Sequence, residues 1–393
     1  MSDLVLTGGS VLIGDDPGFT DAELVIRAGK VDRITRSGSG DASGDRSAVV
    51  DVTGLRLVPG FIDLQVNGIA GIDLCSEPER IGEVARCLLR FGVTSFLPTI
   101  ISSPPSAVAR ALAEMARLGS DRMVERGARP LGLHLEGPML SPRRKGAHRP
   151  TLLRDPSAAL IDGWSADAGV AMVTLAPELD GADDVIALLR RNGVVVFAGH
   201  TNASADVIVA AVDVGIQGIT HLFNAMPGLG HREPGPVGAA FTDRRITAGL
   251  IVDGVHVDPV AVAVAFRCLG PSRLALVSDA VAATAMPAGT YVLGGDELIT
   301  DGVSVRLKDG TLAGSVLTLD VAVRNLASFV GCSFADAVRC ATSTPARVLR
   351  RNDLGVVRPG ALADVVALDD GGNVVLTIVG GVIVHRRDGV TTS

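Results

Sequence analysis

The sequence predicts an α/β protein: a (β/α)8 TIM-type barrel with a small β-sandwich domain formed by the N- and C-terminal segments. Three observations carry this. Between about residues 58 and 350, short apolar runs alternate with amphipathic stretches such as ERIGEVARCLLRFG and PPSAVARALAEMARLG, the pattern of parallel strands joined by crossover helices. The apolar runs number eight, the strand count of a closed barrel. The two ends differ from this middle: they show period-two alternation punctuated by Gly and Asp.

The first 57 residues read as short strands in LVLTGGSVLIG, ELVIRAGKVDRIT and AVVDVTGLRLV. The eight barrel strands follow as FIDLQVNG, TSFLPTI, LGLHLEGP, MVTLAPE, VVVFAGHT, GITHLFNAM, ITAGLIVDGVH and RLALVSDA. From 351 onward, ALADVVALDD and GNVVLTIVGGVIVHRR return to the strand texture of the start. Neither terminal segment alone can bury a sheet face, so the two are expected to meet. The expected division is 1–57 and 351–393 for the small domain and 58–350 for the barrel. A doubly wound open sheet is the competing architecture. No GxGxxG follows the first strand and no GxxxxGK[ST] occurs, which weakens its nucleotide-binding versions.

Composition limits the function classes. Of 393 residues, 47% are hydrophobic and 20% charged, enough for a large core and unlike a disordered chain. Acids outnumber bases by 43 to 36, for a formal charge of -7, which argues against a general nucleic-acid binder. Aromatic residues at 3% argue against a base-stacking surface. No apolar run reaches the roughly 18 residues of a membrane span. The start, MSDLVLTGGSVLIGDD, lacks the basic and apolar regions of a signal peptide. Cys75, Cys87, Cys268, Cys332 and Cys340 are dispersed and form no CxxC, as expected of reduced thiols in a cytoplasmic protein.

In a barrel of this type the active site forms at the C-terminal strand ends. Those ends carry polar residues that strand packing does not require: Gln65 and Asn67, His134 and Glu136, His200 and Thr201, His221 and Asn224, Asp253 and His256, Ser278 and Asp279. Two histidines and a carboxylate on neighbouring strands match the ligand set of a catalytic divalent metal. Glu136, His200 and His221 are assigned that role. Asp279 is then the natural proton shuttle between water and a leaving group. His134 is read as a structural residue and His385 as a surface one. Asp253 is a candidate partner of a site residue, and Asp63 a candidate for orienting neighbouring strands. Arg232 and His231 sit in the Gly/Pro-rich PGLGHREPGP. The bland reading of Arg232 is a solvated surface arginine; the functional one is bidentate capture of an anion, helped by Asn224 and Ala225. The basic RRKGAH segment is a candidate ligand-closing loop, with His148 its strongest member.

PGFIDLQVNG, HLEGP, AGHTNA, THLFNAM, REPGP, LIVDGVH, VSDA and GTLAGS stand in an order and spacing that resemble the N-acetylglucosamine-6-phosphate deacetylases of the amidohydrolase superfamily. The resemblance covers essentially the whole chain. It implies hydrolysis of N-acetylglucosamine 6-phosphate to glucosamine 6-phosphate and acetate, as in amino-sugar recycling. It implies Glu136, His200 and His221 as metal ligands and Asp279 as general base and acid. His256 then contacts the acetamido group and polarises its carbonyl, and His148 contacts the sugar. Asn224, Ala225 and Arg232 contact the phosphate, the arginine reaching the neighbouring subunit's site, so that a homodimer is expected. Leu312 falls where a loop residue touches substrate. Many amidohydrolases hold a second metal with His-x-His at the first strand end. Here that position reads Gln65-Val66-Asn67, a vacated second-metal position, and neutral amides are poor ligands for a zinc-like ion. One divalent ion per subunit is expected, Zn2+ by default, with Fe2+, Mn2+ or Co2+ also fitting the donor set.

Two other readings compete. A cyclic-amide hydrolase of dihydroorotase or hydantoinase type usually needs His-x-His and a carboxylated lysine, and the fourth strand, ending in LAPE, carries no lysine. A catalytically dead barrel serving as a binding protein would lack ligands or acid/base, and all four residues are present.

Overall fold

The structure is a computed structural model that describes residues 3–36, 48–119 and 124–387. Its barrel strands are β1 (Phe61–Val66), β2 (Val93–Ile101), β3 (Leu133–Glu136), β4 (Val170–Leu175), β5 (Val195–Ala198), β6 (Gly218–Ile219), β7 (Thr247–Leu250) and β8 (Leu274–Leu276). Each pairs in parallel with the next. Closure of β8 onto β1 is the weakest joint. It rests on a single parallel bridge between Val66 and Ala280, with Asn67 and Gly68 donating to the Ala280 carbonyl at 2.8 and 3.1 Å. Asp63 adds to it, because its Oδ1 accepts from Ser278 N at 3.2 Å. The expectation that Asp63 orients neighbouring strands is thereby given a geometry.

The helices are α1 (Ile81–Leu88), α2 (Pro105–Arg117), α3 (Ala182–Arg191), α4 (Ala205–Val214), α5 (Gly235–Thr242), α6 (Pro259–Leu269), α7 (Leu319–Val330), α8 (Phe334–Ala341) and α9 (Ser343–Val348). Their sequences explain them. α1 buries Ile81, Val84, Ala85 and Leu88 on one stripe. α3 opens on Asp183 and Asp184 and ends on Arg190 and Arg191, matching the helix dipole. Ser204, Asp258 and Ser333 cap the starts of α4, α6 and α8 with their side-chain oxygens. No α-helix follows β3. That crossover is a long loop with two short 3-10 turns, Pro142–Arg144 and Pro150–Leu152, and it brings the RRKGAH segment over the barrel mouth.

The terminal segments do meet. Arg56–Pro59 runs antiparallel to Val365–Leu368, joining strands from both ends into one nine-stranded mixed sheet. The sheet has its own core, including Leu6, Leu24, Leu57, Val365 and Leu376. His385 lies half-buried on its edge strand opposite Thr377, rather than on open surface. A buried ion pair, Arg129 to Asp364 at 2.8 Å, ties this sheet to the barrel.

One element has no counterpart among the strands read from sequence. Gly289–Leu293, Asp296–Thr300 and Val305–Leu307 form a separate three-stranded antiparallel sheet between β8 and α7. It is pinned by Gly294 N donating to Asp73 at 2.9 Å and by a bidentate Arg149–Asp296 pair at 2.7 Å. Among the described residues, no helix is long and apolar enough to cross a membrane.

Candidate active site

Strain is concentrated where the strands end. His200, His221, Ala225 and Asp279 all have positive φ, between 30° and 51°. Left-handed backbone costs a non-glycine residue on the order of 1 kcal/mol or more, and its clustering marks a functional end of the barrel. Here the left-handed turns carry side chains into a cavity of about 220 Å3 that Glu136, His148, His256 and Leu312 also line.

At its floor three donor atoms converge. Glu136 Oε1 lies 2.9 Å from His221 Nε2 and 3.3 Å from His200 Nε2. The two Nε2 atoms are 3.1 Å apart. A tetrahedral ion with bonds of about 2.0–2.1 Å places its ligands roughly 3.3 Å from one another, so this triangle has the size of one face of such a site. Hydrogen bonding fixes the role of the His200 imidazole. His200 Nδ1 is 2.9 Å from the Arg144 carbonyl, which can only accept, so the ring proton sits on Nδ1 and the Nε2 lone pair faces the triangle. Three lone-pair atoms this close require a shared cation or proton. Burial acts to lower the His221 pKa, but the Glu136 carboxylate overrides it and the pKa is raised. Glu136 moves the other way: burial raises it, and the neighbouring imidazoles of His200 and His221 then hold it well below the carboxylate range. The centre is built for positive charge, and a divalent metal fits it.

Glu136, His148 and His200 also satisfy the spacing of a metal-binding cluster. His148 is nevertheless the weaker ligand candidate. Its Nδ1 accepts from the backbone N–H of Ser102 at 3.3 Å, which leaves the proton on Nε2. That Nε2 lies 3.8 Å from Glu136 Oε2 and serves as a donor rather than a ligand. Burial beside His200 lowers the His148 pKa to about 3, so the ring is neutral. His134 is likewise kept neutral, lowered by burial to about 4. It bonds the Leu64 carbonyl at 3.0 Å and Thr174 Oγ1 at 2.8 Å inside the barrel.

Asp279 faces the same cavity. Burial first, and then the charge of Glu136, push its carboxyl up to about 7. Asn67 Nδ2 donates to Asp279 at 2.7 Å, and Gln65 Nε2 donates to Glu136 at 3.1 Å. The two neutral amides thus hold the two carboxylates of the site in place. His256 is fixed by Asp253, whose Oδ2 lies 2.6 Å from Nδ1.

The cavity brings together Asn67, Glu136, His148, His200, His221, Asn224, Ala225, His256, Asp279 and Leu312. Gln65 lies beneath it, behind Glu136. Arg232 stands apart: it is exposed, outside the cavity of its own chain, and makes no ion pair among the described residues. Sequence reasoning gave no role to Ser102, Glu178 or Asn202, and left Asp253 as a bare candidate. Of these only Asp253, three residues before His256, carried a local signal.

The sequence profile of the amidohydrolase family matches residues 56–384. The chain belongs to that family. Within it, the chain is similar to amino-sugar-phosphate deacetylases. One from Escherichia coli O157:H7, an N-acetylgalactosamine-6-phosphate deacetylase, is 41% identical over 80% of this chain and 84% of its own. The human N-acetylglucosamine-6-phosphate deacetylase is 39% identical over 86% and 85%. The solved N-acetyl-D-glucosamine-6-phosphate deacetylase of Mycobacterium smegmatis, an aspartate-to-alanine mutant in complex with N-acetyl-D-glucosamine-6-phosphate, is 34% identical, with a TM-score of 0.87 over 98% of this chain and 100% of that one. The chain thus belongs to a metal-dependent hydrolase family, and its buried donor cluster has the spacing of a metal site.

Proposed function

We propose that the chain hydrolyses the acetamide of N-acetylglucosamine 6-phosphate, giving glucosamine 6-phosphate and acetate. The observation that carries this reading is the Glu136–His200–His221 triangle with Asp279 across the same cavity, in a chain whose relatives act on phosphorylated N-acetyl amino sugars. Glu136, His200 and His221 would hold one divalent metal per subunit, Zn2+ as the first choice, which when bound would supply Lewis acidity for water and for the amide carbonyl. Asp279 accepts the proton that water gives up and returns it to the departing nitrogen, so that C–N cleavage releases an amine rather than an amide anion. Asn67 holds the Asp279 carboxylate in place for both transfers. His256, anchored by Asp253, contacts the acetamido group and polarises its carbonyl. His148, with its proton on Nε2, donates to the sugar, and Leu312 packs against it. Asn224 and Ala225 contact the phosphate, and Arg232 completes that contact from the partner subunit of a homodimer. The cytoplasm is the compartment consistent with dispersed, unpaired cysteines.

One observation favours a second substrate: the Escherichia coli relative at 41% identity is named for the galactosamine epimer. The test is acetate release from both epimeric 6-phosphates and from unphosphorylated N-acetylglucosamine, with protein stripped of metal and then reloaded. Metal-dependent release from the glucosamine phosphate, preferred over the other two, is the expected result. Preference for the galactosamine epimer replaces the substrate and keeps the chemistry. Equal rates on the unphosphorylated sugar remove the phosphate contacts, and no release from any of them overturns the proposal.

A further inference from the structure

His200 is held from outside by a chain of contacts that begins at a carboxylate with no place in the reaction. Glu178 follows β4 in the LAPE segment. Its Oε2 accepts from Thr201 Oγ1 at 2.5 Å and its Oε1 from Asn202 N at 2.5 Å, gripping the two residues after His200. Asn202 Oδ1 in turn accepts from Arg144 Nε at 3.0 Å. The Arg144 carbonyl is the group that accepts from His200 Nδ1. Ser141 N donates back to the His200 carbonyl at 2.9 Å, so the 141–148 loop meets this histidine through both backbone and ring. Gly146 completes the fit: a Cβ there would stand 2.8 Å from His200 Cε1.

We propose that Glu178 and Asn202 are positioning residues that set metal affinity, by clamping the Arg144 carbonyl against His200 so that its Nε2 lone pair points into the donor triangle. Charge-assisted bonds make the Glu178 end rigid, since hydrogen bonds from a hydroxyl and a backbone N–H to a carboxylate are shorter and stronger than those of neutral pairs. The Asn202–Arg144 bond carries that rigidity to the loop. Because the same loop bears His148, the arrangement of the sugar-facing histidine and of the metal ligand is one unit. The inference rests on the metal-site reading above, not on the identity of the sugar.

The test measures zinc affinity without substrate. Metal-stripped wild type, Glu178→Ala, Asn202→Ala and Asn202→Asp are titrated with Zn2+ against a chromophoric chelator, with circular dichroism as the check on folding. Loss of a group that orients a histidine ligand typically weakens metal binding about tenfold to a hundredfold. That loss is expected for Glu178→Ala, with a smaller one for Asn202→Ala. Asn202→Asp, which keeps the acceptor for Arg144, restores affinity toward wild type. A merely structural role would lower the melting temperature and leave zinc affinity alone. Affinities of Glu178→Ala and Asn202→Ala within twofold of wild type overturn the proposal, and if Glu178→Ala does not fold, Asn202→Ala and its rescue decide alone. A wild type that takes up no zinc overturns the metal-site reading itself, and this inference with it.

Discussion

At the scale of single residues, Asp279 shows how position makes a carboxyl into a proton carrier. Burial and the Glu136 charge raise its pKa to about 7, while His221, His256 and the Asn67 amide act to lower it. A group poised there can take a proton and give it back near neutral pH. Asp279→Asn is expected to keep zinc binding and to lose roughly 100- to 10,000-fold in kcat, the usual worth of a positioned acid/base. Full turnover in that variant sinks the assignment. The base must be ionised to accept a proton, so wild-type kcat/KM should rise as pH climbs through the Asp279 pKa. A bound cation shifts that limb below 7, and the residual activity of Asp279→Asn should lack it. Glu136, His200, His221 and Asp279 were readable because each stands at or near the end of an apolar strand that has no packing use for it, whereas Leu312, in a loop, came only from the resemblance. Glu178 and Asn202 were not readable. Their contacts, from Thr201 Oγ1 and Asn202 N to Glu178 and from Arg144 Nε to Asn202, join separate loops and reach His200 only through the Arg144 carbonyl, and no pattern in one sequence records a main-chain acceptor.

At the scale of elements, the β1–β8 joint includes one buried carboxyl. Asp63 is buried, and that burial raises its carboxyl to about 7. A raised carboxyl contributes stability at low pH that is lost as pH rises from about 4 through 7, because the unfolded chain releases this proton first; above 7 the contribution is flat. Asp63→Asn keeps an acceptor for Ser278 N and removes the titration. Between pH 4 and 7 the metal-stripped variant should lose less stability than metal-stripped wild type, by a few kcal/mol, since each tenfold change in proton affinity on folding is worth about 1.4 kcal/mol. Asp279 titrates in the same window, so a residual slope remains. Identical pH slopes in urea denaturation count against Asp63 as the buried acid. All eight barrel strands were legible because both faces are covered, which leaves continuous apolar runs. The three-stranded sheet was not. Its strands expose Thr290, Val292, Glu297 and Ile299 on one face, and its Gly294–Gly295 turn resembles any loop. β6 is short for a different reason: the backbone leaves the sheet after Ile219 to reach the left-handed turn at His221.

At the scale of the whole molecule, two contacts decide whether the parts act together. Arg129 and Asp364 are both nearly inaccessible, and Asp364 also accepts from Gly380 N at 2.8 Å. Arg129→Met leaves that carboxylate buried without its cation, and breaking such a pair costs about 3–5 kcal/mol. Chemical denaturation should show the loss, while kcat at low denaturant stays near wild type because the joint is remote from the cavity. The second contact is the one proposed between subunits. Arg232 projects from an exposed loop outside its own cavity, which fits a guanidinium that works on a neighbour's substrate. Arg232→Ala should raise KM for the phosphorylated sugar about tenfold or more with little change in kcat, since a charged hydrogen bond is worth about 1.5–3 kcal/mol and this one is far from the reacting bond. Mixing separates the two possible geometries. In a heterodimer of Arg232→Ala and Asp279→Asn, a trans arginine leaves one site with both Asp279 and the partner's guanidinium, and the other site with neither. Equal mixing makes about half the dimers mixed, so about a quarter of wild-type activity should return at substrate levels where each parent is nearly silent. If Arg232 acts on its own cavity, both sites of the mixed dimer are defective and nothing returns.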